Sequence, residues 1–245
     1  MNSILLCAAV GLLFGAGGWL LQLWAWGWAV VFGTAVFVVC WVLLARWLGK
    51  RLTPAMLQVR KQMEAGMGDA AMRTLRELLP MCKWVPLLRG QLLAQMGVLA
   101  NHSGDQKQAI ELLSRSSRRA ADAQLLLACI HYKNGDPARA FQVLSLAAMV
   151  NKRHSLLHNS YAWLLHKEDR SGEAIALLAK FLQKEPGDEA GKDNLLRLQN
   201  KSRMSMKDFG ISWYALGLER PPAEFGQLQT GRKGFRQPPK GRRQR

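Results

Sequence analysis

The sequence predicts an all-α chain: a two-helix transmembrane hairpin, an α-α solenoid of about four helix-pair repeats, and a disordered basic tail. Three observations carry this. The first 48 residues hold one charged side chain, Arg46. A set of small residues returns at about 34-residue spacing between residues 54 and 200, and the last twenty residues are basic without an acid. Charge divides the same way: of a net +17, residues 1–48 contribute +1, residues 49–200 +8 (22 basic, 14 acidic) and residues 201–245 +8 (11 basic, 3 acidic). The expected boundaries are 1–50 for the hairpin, 51–200 for the repeats, 201–225 for a capping or docking segment and 226–245 for the tail.

In the hairpin, Ile4 to Leu23 and Trp28 to Leu48 are apolar runs of about 20 residues, the length that crosses a hydrocarbon core roughly 30 Å thick. Only Trp24 to Gly27 separates them. Trp19, Trp24, Trp26 and Trp28 gather at that turn, with Trp41 and Trp47 toward the other end, where amphipathic indoles mark two interfaces. A cleaved signal peptide fits less well, because Met1-Asn2-Ser3 carries no basic residue. Arg46, Lys50, Arg51, Arg60 and Lys61 follow the second run, so both termini are expected in the cytoplasm of an inner (plasma) membrane protein. Gly11 and Gly15 have the small-xxx-small spacing that lets the second helix, near Gly33 or Ala35, or another chain approach closely.

The middle region is periodic. Gly135-Asp136-Pro137 forms a turn, and Ala140 and Leu144 follow at helical spacing. A shift of 34 residues maps Ala140 to Ala174, Leu144 to Leu178 and Ala147 to Phe181. Ala128 and Ala162 are likewise one period apart, and Gly97, Gly104, Asp105 and Ala109 form an upstream copy. A weaker first copy has Gly66 or Gly68, Ala71, Met72 and Leu75. Small residues let helices pack closely, and Gly-Asp supplies a turn and the following cap. Pro137 suits a first helical position, where its missing N–H costs little.

These residues resemble the tetratricopeptide repeat (TPR) family, a 34-residue helix–turn–helix unit, over about residues 54–200. The family's small first-helix residue matches Gly97, Ala128 and Ala162, and its second-helix alanine matches Ala109, Ala140 and Ala174. Its turn glycine matches Gly104 and Gly135, with Asp169 standing there in the last clear unit, and its closing proline is present only as Pro186. The resemblance implies a concave wall lined by first helices, here Asn101, His102, Leu125, Cys129, Tyr132, Lys133, Asn159, Trp163, His166 and Lys167. In the family that wall holds segments of partner proteins. Ala94, Val98 and Leu156 stand where one known version grips a terminal carboxylate, so an internal segment with apolar and acidic character is the implied ligand. Packing of Tyr132 and Trp163 against neighbouring repeats is the alternative reading. The layout is similar to HemY-type bacterial inner-membrane proteins, with repeats after two amino-terminal spans.

No catalytic pattern is present. His154 and His158 are four apart, but Ser155 stands where the zinc-protease pattern needs Glu, and no third ligand is near. No nucleotide-binding glycine loop and no serine elbow occurs, so no cofactor and no enzyme activity is expected. Four cysteines without a CxxC pair exclude a disulfide scaffold and a cysteine zinc cluster.

After a last helix near residues 188–200, Met204 to Phe225 interleaves Phe209, Ile211, Trp213, Tyr214, Leu216 and Leu218, and is expected to fold back on the final repeat or to dock a partner. The tail basics are Arg232, Lys233, Arg236, Lys240, Arg242, Arg243 and Arg245, set among Gly, Gln and Pro that form no core. The expected function is a membrane-anchored scaffold that binds a partner protein in its groove. The alternative is a tether for RNA, ribosomes or anionic lipid through the tail.

Overall fold

One turn geometry recurs through the chain and organises the fold. In the computed structural model, which describes residues 2–20, 26–83 and 88–222, left-handed backbone appears at Gly66 (φ 74°), Gly104 (φ 85°), Gly135 (φ 78°), Asp169 (φ 58°) and Lys201 (φ 54°). Each follows a helix and closes it with the same pair of bonds. Thus the Gly104 N–H donates to Asn101 O (3.2 Å) and the Asp105 N–H to Ala100 O (3.0 Å). The N–H groups of Gly135 and Asp136 do this to Tyr132 and His131, and those of Asp169 and Arg170 to His166 and Leu165. This is the Schellman closure, which needs one left-handed residue just past the helix. Asp169 and Lys201 therefore take the turn position that glycine holds at residues 66, 104 and 135.

Among the described residues the helices are α1 (Asn2–Leu20), α2 (Trp26–Glu64), α3 (Gly68–Leu78), α4 (Leu88–His102), α5 (Gln106–Ser114), α6 (Ala121–Lys133), α7 (Pro137–Val150), α8 (Ser155–Lys167), α9 (Ser171–Leu182), α10 (Glu189–Gln199) and the short α11 (Gly210–Tyr214), with 3-10 turns at Leu79–Lys83 and Lys207–Phe209. The pairs are the end of α2 with α3, then α4 with α5 and α8 with α9. Pro137 opens α7, as its fixed φ favours. Asp105 and Asp188 cap α5 and α10 by accepting from the N–H groups of Gln108 (3.0 Å) and Gly191 (2.7 Å).

The chain divides into two units, residues 1–130 with 138–151, and residues 131–137 with 152–245. In the first, Val59 of α2, Ala71, Leu75 and Leu78 of α3, and Leu88, Leu92, Met96 and Leu99 of α4 form a core joined by Leu112 of α5. Gly97 of α4 lies so close to α5 that an added Cβ would stand 2.6 Å from Leu113 Cγ. Ala109, Ala128 and Ala140 are fully buried. In the second unit Ala162, Ala174, Leu178 and Phe181 are buried between α8 and α9, and His158 stacks on Phe181 with ring centroids 4.6 Å apart. The small residues at repeat positions thus sit where helices touch.

At the amino terminus α1 packs antiparallel on α2. A Cβ at Gly11 would lie 2.8 Å from Gly33 O, and one at Gly33 would lie 3.5 Å from Gly15 Cα, the close approach their spacing predicts. Cys7 and Cys40 meet there with sulfurs 3.4 Å apart.

The expected pair of membrane spans is corrected. Among the described residues one helix is long and apolar enough to cross a membrane, Val30–Glu64, and the other apolar run near the start, Cys7–Gly17, is short. A single qualifying helix near an amino terminus meets a criterion that signal sequences and long core helices also meet. It establishes no anchor. The transmembrane hairpin, the HemY-type two-span layout and the inner-membrane topology with both termini cytoplasmic are therefore withdrawn. Trp24 of the expected turn lies outside the described residues.

Candidate functional site

In the second unit the first-helix face of α8 carries four of the predicted wall residues. Helix α8 begins at Ser155 because the Nδ1 of His154, its N-cap, accepts from the Leu157 N–H (3.2 Å). From that start, Asn159, Trp163, His166 and Lys167 recur at i, i+4, i+7 and i+8, one stripe of a 3.6-residue helix. Trp163 is 6% exposed and Asn159 is fully buried, whereas Lys167 stands in solvent with its ammonium 5.0 Å above the Trp163 ring. A cation over an indole face is attracted by the ring's negative quadrupole. His166 Nδ1 is 2.8 Å from Ser171 Oγ.

Asn159 is satisfied by a network of amides. Its Nδ2 donates to Ser155 O (3.0 Å), and its Oδ1 accepts from Asn194 Nδ2 of α10 (2.9 Å). The Oδ1 of Asn194 in turn accepts from the Ser205 N–H (2.8 Å). Two fully buried amides are thus held in place, and their free end reads a backbone N–H. Tyr132 donates from its hydroxyl to Glu168 Oε1 (2.9 Å). Burial, and then that carboxylate, push the Tyr132 phenol up to about 12. Burial also raises the Tyr161 phenol, while Arg170 works in the opposite direction.

The segment after α10 lies on this face. Trp213 is fully buried and meets Trp163 edge-on at 5.1 Å. Its Nε1 donates to Glu219 Oε2 (2.9 Å). The Lys133 ammonium donates to the backbone oxygen of Leu216 (2.5 Å), next to Gly217, where an added Cβ would strike Lys133 Nζ. Met206 and Leu216 are buried with them, and Ile211 is exposed. Contacts from Ser205 to Leu216 thus lie against α10, α8 and Lys133.

The remaining wall residues belong to the first unit. Asn101 and His102 end α4, half-buried and exposed, and Leu125 of α6 is fully buried and belongs to the core. Sequence reasoning missed Glu168, Asn194 and Ser205. The available signal for Asn194 is its place 35 residues beyond Asn159, close to one repeat.

The proposed tether through RNA, ribosomes or anionic lipid is withdrawn. Arg232, Lys233, Arg236, Lys240, Arg242, Arg243 and Arg245 lie outside the described residues, and no described feature supports such a partner. Among the described residues no group of three or more His, Cys, Asp or Glu is placed to hold a metal ion. His154 and His158, weighed above as a metal pair, serve as a helix cap and a ring stacked on Phe181.

No protein-family model matches the chain, and no curated protein matches it. Solved structures do. A crystal structure of MamA protein is similar at 18% identity and a TM-score of 0.46, covering 78% of this chain and 100% of that one. A second MamA crystal structure is similar at 18% identity and a TM-score of 0.44, covering 70% and 96%.

Proposed function

We propose that this chain is a non-catalytic, TPR-like scaffold that holds a peptide segment of a partner protein on the face of its first helices. What supports the reading most is that the groups around Trp163 of α8 suit a peptide: Asn194 of α10 accepts from a backbone N–H, Lys133 of α6 reaches a backbone carbonyl, and the Trp163 indole packs an aromatic side chain. Backbone bonds give affinity to any extended segment, and the aromatic anchor with Lys133 and Lys167 gives preference for apolar and acidic side chains. Asn101 and His102 are proposed as a further contact in the first unit.

Panning a random peptide library against the full chain tests this. Enriched sequences should share an aromatic residue near acidic ones and bind about ten-fold more weakly to the double variant Lys133→Glu/Lys167→Glu. Both lysines are exposed, but Lys133 holds Leu216 O and Lys167 lies over Trp163, so thermal unfolding of the double variant is measured beside binding to separate lost affinity from lost fold. Failure to enrich any motif, or a motif indifferent to the double variant, contradicts the reading.

A further inference from the structure

We propose that residues 204–219 are an internal ligand: they occupy the α8 face in cis, and the partner segment that replaces them is a tryptophan-bearing acidic peptide. This rests on the reading of that face as a peptide-holding surface and adds the identity class of what it holds. The contacts are those of a bound peptide more than those of a repeat. Polar links to the wall use the segment's backbone, Ser205 N–H to Asn194 and Leu216 C=O to Lys133. One side chain, Trp213, is the anchor, packed on Trp163. The regular structure within the segment is one 3-10 turn and the five-residue α11, and Gly210 (φ 51°) and Gly217 (φ 65°) bend the chain on either side of the anchor.

The chemistry of the ligand follows from these contacts. A competing segment must present an indole to Trp163 and a backbone carbonyl three residues later to the Lys133 ammonium, the Trp213-to-Leu216 spacing. It needs a carboxylate for its own indole N–H, the part Glu219 plays here, and acids in general match Lys133 and Lys167 at the rim. Because residues 200–204 tether the internal copy, it acts at a millimolar-scale effective concentration. A partner therefore binds with an apparent affinity reduced by the fraction of time the face stands open.

The test uses the full chain and a labelled peptide of residues 204–219. In the variant Trp213→Ser/Leu216→Ser the internal copy loses its anchor. That variant should bind the peptide about ten-fold or more tightly than wild type, and a peptide with alanine in place of its tryptophan should not bind. Equal or absent binding on both chains, with matching circular dichroism, overturns the proposal. If the variant loses helix content, hydrogen exchange on the wild type decides. Amides of 205–217 exchanging faster than those of α8 support an internal ligand, and exchange only together with α8 makes the segment part of the fold and overturns it. If panned peptides bind while the 204–219 peptide gains nothing, the scaffold reading stands and this inference alone falls. If neither binds, both fall.

Discussion

At the scale of single residues the account depends on close approaches that only small side chains allow. Replacing Gly97 by alanine gains helix propensity of about 1 kcal/mol, but the new methyl would sit 2.6 Å from Leu113 Cγ and 3.2 Å from the Leu113 N. Overpacking wins, and thermal unfolding should show a net loss of about 1–2 kcal/mol. Gly172→Ala, with nothing within 4 Å of the added carbon, should instead raise stability by about 0.5 kcal/mol. Asp169→Gly relieves a left-handed aspartate and should stabilise by about 0.5–1 kcal/mol in the same assay. Tyr132 titrates near 12, above the ordinary phenol value of about 10. Its neutral form is favoured in the folded state, so this contribution to stability is intact below about pH 10 and is lost as pH rises toward 12. Absorbance titration should show a tyrosinate step near 12 that disappears in Tyr132→Phe. The repeat alanines and Gly97 were legible in the sequence because their spacing reports helix contacts directly. Leu125 was not, since a buried leucine and a wall leucine share one periodicity.

At the scale of elements, five helices among the described residues end in the same Schellman closure, and the turn glycines and Gly-Asp pairs announced three of these ends. Asp169 was legible as a stand-in because it falls in register, and the turn there is the same despite the side chain. The amide network was not legible: an asparagine in a helix pattern reads as a surface residue until its partner one repeat away is placed beside it. Asn194→Ala strips the acceptor from Ser205 and the donor from Asn159, leaving the Oδ1 of the fully buried Asn159 without a donor while its Nδ2 keeps Ser155 O. Chemical denaturation should report a loss of about 1–3 kcal/mol, and Asn194→Asp should not restore it, because a carboxylate offers Asn159 Oδ1 no donor.

At the scale of the whole molecule, composition was a weaker guide than periodicity. The uncharged start led to an expectation of two spans, yet among the described residues one helix reaches spanning length and composition, and it continues as α2 past Arg46, Lys50 and Arg51 to pack on α3. Apolar content alone does not separate an anchor from a long helix that enters a core. The repeats were legible because their signal is a spacing and not an average. The last segment was legible as folding back, since its aromatic residues need cover, but its seat across α10 and α8 depends on backbone groups that leave no mark in a sequence.

The central claim is that the α8 face holds a peptide, and it is tested most directly by labelling the tryptophan indoles of the full chain with nitrogen-15 and adding a panned peptide. The account predicts that the Trp163 and Trp213 signals, assigned with Trp163→Phe and Trp213→Phe, shift together and saturate while those of Trp28 and Trp47 stay fixed. Saturable binding that leaves Trp163 and Trp213 unmoved would contradict it.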